Sequence, residues 1–507
     1  MPDAGRARPV RDAPVSAAPV QSVTGEVGRI DVEPVNAAGR RPLYRKRAKI
    51  FPRDVSGRFR TVKWAVLGAV LGLYYVLPWL RWDRGPGAPD QAVLIDFPGQ
   101  RFYFFAIEIW PQEVYYVTGL LILAALTLFL VSSIAGRVWC GYACPQTVWT
   151  DLFMWVERRI EGDRNARMRL DRAPWRGRKF AMRAAKHGTW LLIAVGTGGV
   201  WVFYFADAPT LATDLARFEA PMVSYLFIGV LTGTTYLLAG HAREQVCTFM
   251  CPWPRIQGAM LDEHSMLVTY RRDRGEPRGS HKRGQSWEGR GDCVDCQACV
   301  AACPMGIDIR DGNQLECINC ALCIDACNDI MARVGRPPGL IAYDTIAGLR
   351  GPSADRTGRA DWRRLRVLRP RTVLYAVSIP VVGAIMLAAL VSRQDTEITV
   401  LHDRNPLYVQ LSDGSFRNGY TVKIQNKRHE ARRFRILAAG LPGASLSAMG
   451  GSADDIPVGP DRIRTLRVYV AAPLSATPET VTEFEIVVTD LATGERHADA
   501  TAFRRAE

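Results

Sequence analysis

Eight cysteines between residues 293 and 327 have the spacing needed to hold iron–sulfur clusters. They form two consecutive runs, each with three cysteines separated by two residues and a fourth cysteine three residues later. Three thiolates on a tight turn can bind three irons of one cubane, while the trailing cysteine reaches the neighbouring cluster. The spacing therefore predicts two [4Fe–4S] clusters. We expect one to be bound by Cys293, Cys296, Cys299 and Cys327, and the other by Cys303, Cys317, Cys320 and Cys323.

Zinc and disulfide bonds are the competing interpretations of these eight cysteines. Zinc sites favour pairs of cysteines that are separated by longer spans and close into a tetrahedron, whereas each run here has three cysteines and a trailing fourth. Disulfides are rare in the cytoplasm, where we expect this segment to lie. Iron–sulfur clusters, which transfer one electron at a time, fit the pattern better.

The other four cysteines form a second repeated pattern. Cys140 and Cys144 precede a proline after the second long apolar segment, and Cys247 and Cys251 do so after the fourth. At positions i and i+4 the two thiols of a pair would share one helix face, and the proline would break the helix just beyond them. Four soft thiolates could bind Cu(I) or another soft metal, or cycle between dithiol and disulfide. They could also be buried, inert cysteines at helix ends.

Long apolar segments must position both sets of cysteines. Five stretches approach the roughly 20 residues that a helix needs to cross a bilayer. They are Val62–Leu80, Val114–Ile134, Thr189–Phe205, Met222–Gly240 and Thr372–Val391. We therefore expect an α-helical transmembrane bundle of five spans.

The basic residues in the loops predict the orientation of this bundle. Residues 1–61 hold 13 Lys and Arg, and the loop 136–188 holds 12, whereas the loop 81–113 holds only 3. Because basic residues accumulate on the cytoplasmic side, we expect the N-terminus and the cysteine runs in the cytoplasm and the C-terminus in the periplasm. This arrangement implies a multi-pass protein of the bacterial inner membrane.

The chain divides into five predicted regions. Their order is a disordered basic tail (1–61), four spans with the two thiol pairs (62–240), a cytoplasmic segment (241–371) with its ferredoxin domain at about 285–335, a fifth span (372–391) and a periplasmic domain (392–507). The last region has short alternating strands such as Tyr420–Gln425, separated by turn signals, which predicts an immunoglobulin-like β-sandwich.

Composition excludes several classes of protein. The net charge of +15 could suggest nucleic-acid binding, but the charges flank apolar segments instead of forming a nucleic-acid-binding motif, so we expect no nucleic-acid partner. His187 and His241 lie at span ends, which makes a b-type haem improbable. No phosphate-binding loop follows a strand, so no nucleotide cofactor is indicated.

Taken together, these segments resemble the cytochrome c oxidase accessory family known as FixG, RdxA or CcoG, a group of membrane-bound, polyferredoxin-like proteins. The resemblance runs from about Leu43 to near the C-terminus. It is carried by four segments: 49–53 (KIFPR), 139–149 (WCGYACPQTVW), 303–312 (CPMGIDIRDG) and 418–421 (NGYT).

The resemblance implies a function that the residues alone do not give. It implies an iron–sulfur protein that assists assembly of cbb3-type cytochrome c oxidase by reducing Cu(II) to Cu(I), with oxidase subunits and copper-handling proteins as partners. A quinol or a soluble carrier would donate the electrons. The resemblance leaves open whether the protein forms a homodimer. Two other hypotheses are a quinol-oxidising ferredoxin relay to a partner enzyme and a non-catalytic assembly scaffold.

Overall fold

The computed structural model describes residues 27–36, 48–85, 88–282, 284–350, 366–477 and 479–506. Most of the predicted disordered tail, namely residues 1–26 and 37–47, lies outside this range, as does Leu43, where the resemblance begins. The described residues form two compact units, one of residues 1–80 with 91–383 and the other of residues 81–90 with 384–507.

The first unit is mainly helical. Its helices are α1 (Arg58–Val76), α2 (Tyr115–Ala135), α3 (Val138–Tyr142), α4 (Pro145–Glu161), α5 (Arg164–Arg172), α6 (Gly177–Val202), α7 (Ala208–Arg217), α8 (Met222–Thr235), α9 (Trp253–Met260), α10 (Arg272–Gly275), α11 (Ala298–Ala302), α12 (Leu322–Arg333) and α13 (Ile346–Leu349). Helix α14 (Pro370–Val391) spans the boundary between the units. Two π-helical turns, Tyr236–Ala242 and Val246–Met250, lie between α8 and α9.

Four of the described helical segments are long and apolar enough to cross a membrane. They are Arg58–Trp79, Pro111–Ala135, Met222–Ala242 and Pro370–Val391. These segments correspond to four of the five predicted spans, so the chain is a membrane protein by the length and composition of its helices.

Most of the remaining predicted span, Thr189–Phe205, forms the C-terminal part of α6, which ends at Val202. Although α6 has 26 residues, it is not among the described helices that meet the same length and hydropathy criteria. Four glycines between residues 188 and 199 dilute its apolar content. One of them serves helix packing, because a Cβ at Gly198 would lie only 2.8 Å from the carbonyl oxygen of Ile228 on α8. The count of five spans is therefore not confirmed.

Buried ion pairs connect the helices at one end of this unit. Arg60 on α1 donates to both carboxylate oxygens of Asp151 on α4, at 2.9 and 2.7 Å, and the Lys63 ammonium lies 3.7 Å from the same carboxylate. Almost two turns further along α4, Glu157 is paired with Arg167, Lys186 and Arg243. Buried charges of this kind are stable only when they are paired, so the pairs fix how α1, α5 and α6 meet α4.

The cysteine runs form a small domain closed by two strands. Strands β4 (Leu267–Tyr270) and β5 (Ile341–Asp344) pair antiparallel before and after the cysteines. Helix α12 is joined to α1 because the Asp325 carboxylate accepts the backbone N–H groups of Phe59 and Arg60, at 3.3 and 2.8 Å. This bond satisfies donors that the first turn of a helix leaves free, and it ties the cysteine domain to the first membrane helix.

The segment between α1 and α2 contains a small antiparallel sheet. Its strands are β1 (Val93–Asp96), β2 (Arg101–Phe104) and β3 (Ile107–Ile109). Sequence analysis predicts only a short loop here, because each strand has three or four residues and lacks clear alternation.

The second unit is a β-sandwich, as predicted. One sheet has the order β10-β12-β8-β6 with β7 paired to β8, and the other has the order β11-β9-β13-β14. Its strands are β6 (Thr396–His402), β7 (Val409–Gln410), β8 (Phe416–Asn426), β9 (Arg432–Ala439), β10 (Ser445–Ala448), β11 (Ile456–Val458), β12 (Arg462–Ala472), β13 (Val481–Asp490) and β14 (Arg496–Arg504). Alternate residues of the long strands, such as Val422, Ile436 and Ile486, fill the core between the sheets.

Candidate functional site

The two cysteine runs adopt the same backbone conformation. In the first run Asp295 and Gln297 have positive φ angles of 51° and 58°, and in the second run Asn319 and Ala321, at the same positions, have 53° and 60°. Such angles are uncommon for residues other than glycine. They turn each run into a tight loop that leads into a helix, α11 or α12, and this brings the three thiols of a run together.

Each loop surrounds its own cavity. The first cavity, of about 330 Å³, is lined by Cys293, Cys296, Cys299 and Cys327. The second, of about 360 Å³, is lined by Cys303, Cys317, Cys320 and Cys323, together with Cys299 from the first group. The trailing cysteine of each run thus lines the same cavity as the three cysteines of the other run.

Burial raises the pKa of several thiols around these cavities. Desolvation raises the pKa of both Cys303 and Cys327 to about 12 and that of Cys317 to about 11. Without a cation these thiols would therefore be protonated at neutral pH. Iron can replace the protons because thiolates are its preferred ligands in such sites, so the donor set and the enclosed space both fit a [4Fe–4S] cluster.

The walls of the two cavities differ in polarity. Arg310 lines the first cavity, where it is buried and donates to Asp308 at 2.7 Å and to Asp295 at 2.7 Å. The second cavity has apolar walls that include Met305 and Ile318. Because two carboxylates neutralise the Arg310 guanidinium, the first cavity has a polar wall without net positive charge, whereas the second has an apolar one.

Residues before α1 cover the cysteine domain. Ile30 donates its backbone N–H to the carbonyl of Cys296 at 2.9 Å, Val35 donates to Gly306 at 2.8 Å, and Arg53 donates to Ala301 at 2.8 Å. Sequence analysis assigned this stretch to a disordered tail, so these contacts were missed. The available signal was the recurrence of the apolar residues Val27, Ile30 and Val32, which pack against the cysteine domain.

The thiol pairs differ from the predicted geometry. The two cysteines of the first pair do not share one helix, because α3 ends at Tyr142 and Cys144 has extended backbone angles directly before Pro145. A residue before proline is disfavoured in the helical region, which explains why the helix ends earlier than expected. In the second pair, Cys247 lies in a π-helical turn and Cys251 ends it.

All four of these thiols nevertheless converge. Each thiol lies close enough to the other three for their charges to interact. Cys140 is also buried in one apolar cluster with Cys320, and Cys247, Cys303 and Cys317 pack against that cluster. We call Cys140, Cys144, Cys247 and Cys251 the thiol quartet. It lies next to the second cavity.

Two contacts fix the thiol quartet against the second cysteine run. A Cβ at Gly141 would lie 2.5 Å from the carbonyl oxygen of Ile318, so the two loops approach as closely as glycine permits. The Tyr142 hydroxyl donates to the carbonyl of Cys320 at 3.3 Å. These contacts place the first thiol pair directly against the loop that surrounds the second cavity.

The thiol quartet is partly desolvated and its members differ in exposure. Cys140 is buried and its thiol donates to Gln257 at 3.0 Å, whereas Cys251 is exposed. Burial raises the pKa of Cys140 to about 11 and that of Cys247 to about 12. Like the thiols around the two cavities, these groups would need a bound cation to be thiolates at neutral pH.

Models of three known protein families match this chain. A 4Fe-4S dicluster domain matches residues 242–346, and a 4Fe-4S binding domain matches residues 117–162. A domain described as an IG-like fold at the C-terminal of FixG matches residues 386–505. These matches support bound iron–sulfur clusters and an immunoglobulin-like C-terminal domain.

Several curated proteins are similar to this chain over most of their length. The nitrogen fixation protein FixG of Rhizobium meliloti (strain 1021) is 52% identical over 501 residues, which cover 93% of this chain and 95% of that protein. Protein RdxA of Cereibacter sphaeroides is 53% identical over 439 residues, covering 87% and 92% respectively. Protein RdxB of the same organism is 52% identical over 465 residues, covering 91% and 97%.

A solved structure of a FixG-related protein from Vibrio parahaemolyticus covers 23% of this chain and 100% of that chain, with 20% identity and a TM-score of 0.21. A structural similarity this low carries no argument about the family of this chain. The family is shown by the three curated relatives.

Proposed function

This chain belongs to the FixG family of iron–sulfur membrane proteins, and from that premise we propose that it transfers electrons through two [4Fe–4S] clusters to Cu(II). The product, Cu(I), would serve the assembly of a cbb3-type cytochrome c oxidase, with oxidase subunits and copper-handling proteins as partners. The observation that carries the proposal is the position of the thiol quartet against the second cysteine-lined cavity.

The proposed cluster ligands are the cysteines that line the two cavities. The first cluster would be held by Cys293, Cys296, Cys299 and Cys327, and the second by Cys303, Cys317, Cys320 and Cys323. In support, each group of four lines one cavity. When bound, the two clusters supply one-electron transfer. Cys299 lines both cavities, so the two cavities are direct neighbours.

The thiol quartet would receive the electron beside the second cluster. Soft thiolates stabilise Cu(I) over Cu(II), so a copper ion that meets them is held more tightly after reduction. Each Cu(II) takes up one electron and becomes Cu(I). A quinol, which releases two electrons and two protons, would reduce two Cu(II), and a soluble one-electron carrier would reduce one.

We further propose that α6 is a fifth span and that the protein lies in the bacterial inner membrane. In support, α6 packs along α8 at Gly198, and its outward face exposes Leu191, Leu192 and Val195, with Leu192 exposed by 74%. With five spans, the basic loops put the cysteine domain in the cytoplasm and the β-sandwich in the periplasm.

Anaerobic reduction of copper by the purified full-length protein tests the proposal. The protein would be reduced with dithionite, freed of excess reductant and mixed with Cu(II), and Cu(I) would be measured with a specific chelator. We expect rapid formation of Cu(I) and at least a tenfold slower rate when Cys140 and Cys144 are both replaced by serine with the clusters intact. An unchanged rate in that variant would remove the thiols from the path, and no Cu(I) from the wild type would refute copper reduction.

A second candidate function is quinol oxidation with transfer to a partner enzyme. It is favoured by a small open pocket that is lined by Lys63, Gln146, Cys247 and Pro304. This pocket lies between the cysteine domain and the ends of the membrane helices and contains donors suited to a quinone oxygen. Reduction of the clusters by a quinol analogue, with no effect of copper, would favour this function.

A further inference from the structure

A surface with one sign of charge surrounds the N-terminal end of α6. Four exposed arginines form it, and we call them the basic patch: Arg169, Arg172, Arg176 and Arg178. We propose that the basic patch binds the phosphate headgroups of anionic phospholipids in the surrounding membrane. The inference rests on the proposed function, which makes α6 a membrane span, and it adds a lipid partner that the electron path does not name.

The first observation is the unbalanced charge of the patch. Residues 164–186 contain nine basic side chains but only one carboxylate, that of Asp171. Asp171 already accepts from Lys49 at 2.9 Å and from Arg183 at 3.0 Å. Among the described residues, none of the four patch arginines forms an ion pair, so no carboxylate neutralises them there. A guanidinium group can hold a phosphate through two parallel N–H donors.

The second observation is the position of the patch on α6. The helix has 26 residues, whereas about 20 residues cross the hydrocarbon layer of a bilayer. Counted back from Val202, where α6 ends, about 20 residues reach Arg183. The first turn of α6, with Arg178, then lies at the depth of the lipid headgroups, and Arg176 directly precedes it. The patch is therefore placed where phosphate groups are concentrated.

The third observation is the exposure of two aromatic side chains inside the patch. Trp175 is 72% exposed and Phe180 is 67% exposed, although clusters of large apolar side chains are normally withdrawn from water. Aromatic residues are instead enriched at the headgroup level of membranes. From Phe180 the exposed face of α6 continues through Leu191 to Val195, at the spacing of one helix face. A phospholipid can thus place its headgroup on the arginines and its acyl chains along this face.

Helix α5 connects the basic patch to the segment that covers the cysteine domain. Arg169 and Arg172 are exposed on one face of α5, at the i, i+3 spacing. Arg164, at the start of α5, is buried and donates to the carbonyl of Asp31 at 2.9 Å. Asp31 lies in the segment that is hydrogen-bonded to Cys296. A lipid that holds α5 against the membrane therefore also steadies the cover of the first cavity.

Lipid titration of the purified full-length protein in detergent tests the proposal, with bound lipid counted by native mass spectrometry. The probes are phosphatidylglycerol, which is anionic, and phosphatidylcholine, which has no net charge. We expect phosphatidylglycerol to bind at least about tenfold more tightly, and this preference to shrink as salt screens the charges. An arginine near an anionic lipid surface contributes about fivefold in affinity. Arg176→Gln should therefore weaken phosphatidylglycerol binding by about that factor, and replacing all four patch arginines by glutamine should remove the preference.

Two control variants separate the charge of the patch from other effects. The first replaces by glutamine four exposed arginines of the β-sandwich, namely Arg404, Arg433, Arg462 and Arg496. It lowers the net charge equally and should keep the preference for phosphatidylglycerol. The second, Trp175→Ala with Phe180→Ala, should weaken the binding of both lipids and leave the preference and its salt dependence unchanged. Iron content equal to that of the wild type shows that each variant is folded.

Thermal unfolding gives an independent readout of the link through α5. Phosphatidylglycerol should raise the unfolding temperature of the wild type more than phosphatidylcholine does, because a ligand of the folded state stabilises it. It should have no such effect on the variant without the four patch arginines, and an equal rise in both proteins would overturn the link. Inorganic phosphate should not reproduce the rise. If it did, a soluble anion and not a lipid would be the ligand.

The outcomes separate this inference from the proposed function. Equal binding of the two lipids by the wild type, or an undiminished preference without the patch arginines, would overturn the lipid site even if Cu(II) is reduced. A preference that disappears with the basic patch, in a protein that does not reduce Cu(II), would support the lipid site and overturn copper reduction.

Discussion

Gly141 lies against Cys320: a Cβ on residue 141 would come within 3.0 Å of the Cα of Cys320 and 2.5 Å of the carbonyl oxygen of Ile318. Gly141 separates two thiols of the quartet, and Cys320 is a proposed ligand of the second cluster. The membrane-proximal thiols and the ferredoxin domain are therefore joined through backbone contact, without an intervening side chain.

We expect Gly141→Ala to separate these two loops. Because the opposing atoms belong to the backbone, they cannot move aside cheaply, and overpacking of this kind costs about 1–3 kcal/mol. Iron content and thermal unfolding in detergent should show a less stable protein with a weakened second cluster, and the rate of Cu(II) reduction should fall.

Gly229→Ala is the matched control for this substitution, because a Cβ there meets no atom within 4 Å. It should leave iron content, unfolding and copper reduction unchanged. Equal iron content, unfolding temperature and copper reduction in the two variants would show that the close approach at Gly141 supports neither stability nor electron transfer.

The Asp151 carboxylate is predicted to be essential for the junction of α1 and α4. Asp151→Asn would leave the buried Arg60 and Lys63 without their counter-ion. Breaking a buried pair in this way costs about 3–5 kcal/mol, and we expect a correspondingly lower unfolding temperature in detergent.

Asp329→Asn provides the comparison for Asp151. Asp329 pairs with Arg333 on the exposed side of α12, where such an i, i+4 pair contributes only about 0.3–0.5 kcal/mol. If Asp151→Asn lowered the unfolding temperature no more than Asp329→Asn does, the buried pairs would not hold the helices together.

Glu157 should make stability depend on pH. Burial raises the pKa of this carboxyl, but Arg243, Arg167 and Lys186 outweigh it and lower the pKa from 4.5 to about 2. A carboxyl whose pKa is lowered on folding stabilises the protein above its unfolded pKa, and the contribution is lost as pH falls through the folded pKa. Glu157→Gln should therefore be most destabilising at neutral pH.

The difference between this variant and the wild type should shrink as pH falls from about 4.5 towards about 2. Unfolding temperatures of both proteins at each pH provide the measurement, and taking their difference removes the effect of acid on the clusters, which is common to both. A deficit that stays constant over this range would contradict the assigned role of Glu157.

The parts of the site that could be predicted depend on local spacing. The grouping of the eight ferredoxin-type cysteines follows from the lengths of the turns between them, and the structure places the same groups around two cavities. The β-sandwich was likewise predictable from alternation in strands such as β8. Strand β14 was not predicted, because its sequence, RHADATAFR, has few strongly β-forming residues.

Features that depend on contacts between distant segments were not predictable. The repeated Cys-x3-Cys-Pro pattern predicts that both thiol pairs lie at helix ends on the same face, but it does not specify the contact between residues about a hundred positions apart. The segment around Ile30 was assigned to a disordered tail because the N-terminal residues are rich in Ala, Pro and Arg, yet Ile30 is hydrogen-bonded to Cys296. The fifth span is not confirmed, and part of its sequence, such as Gly198 in α6, serves packing against a neighbouring helix.

The exchange of trailing cysteines between the two runs gives the sharpest test of the cluster assignment. Cys303 follows the first run in sequence but lines the cavity of Cys317, Cys320 and Cys323. Cys303→Ser should therefore perturb the same EPR signal as Cys323→Ser, and it should leave unchanged the signal that responds to Cys293→Ser. Anaerobic redox titrations followed by EPR would resolve the two signals, because the linings of the two cavities differ and Arg310 lines only the first. If Cys303→Ser instead altered the signal of Cys293, each run would hold its own cluster, and the path from the second cavity to the thiol quartet would have to be redrawn.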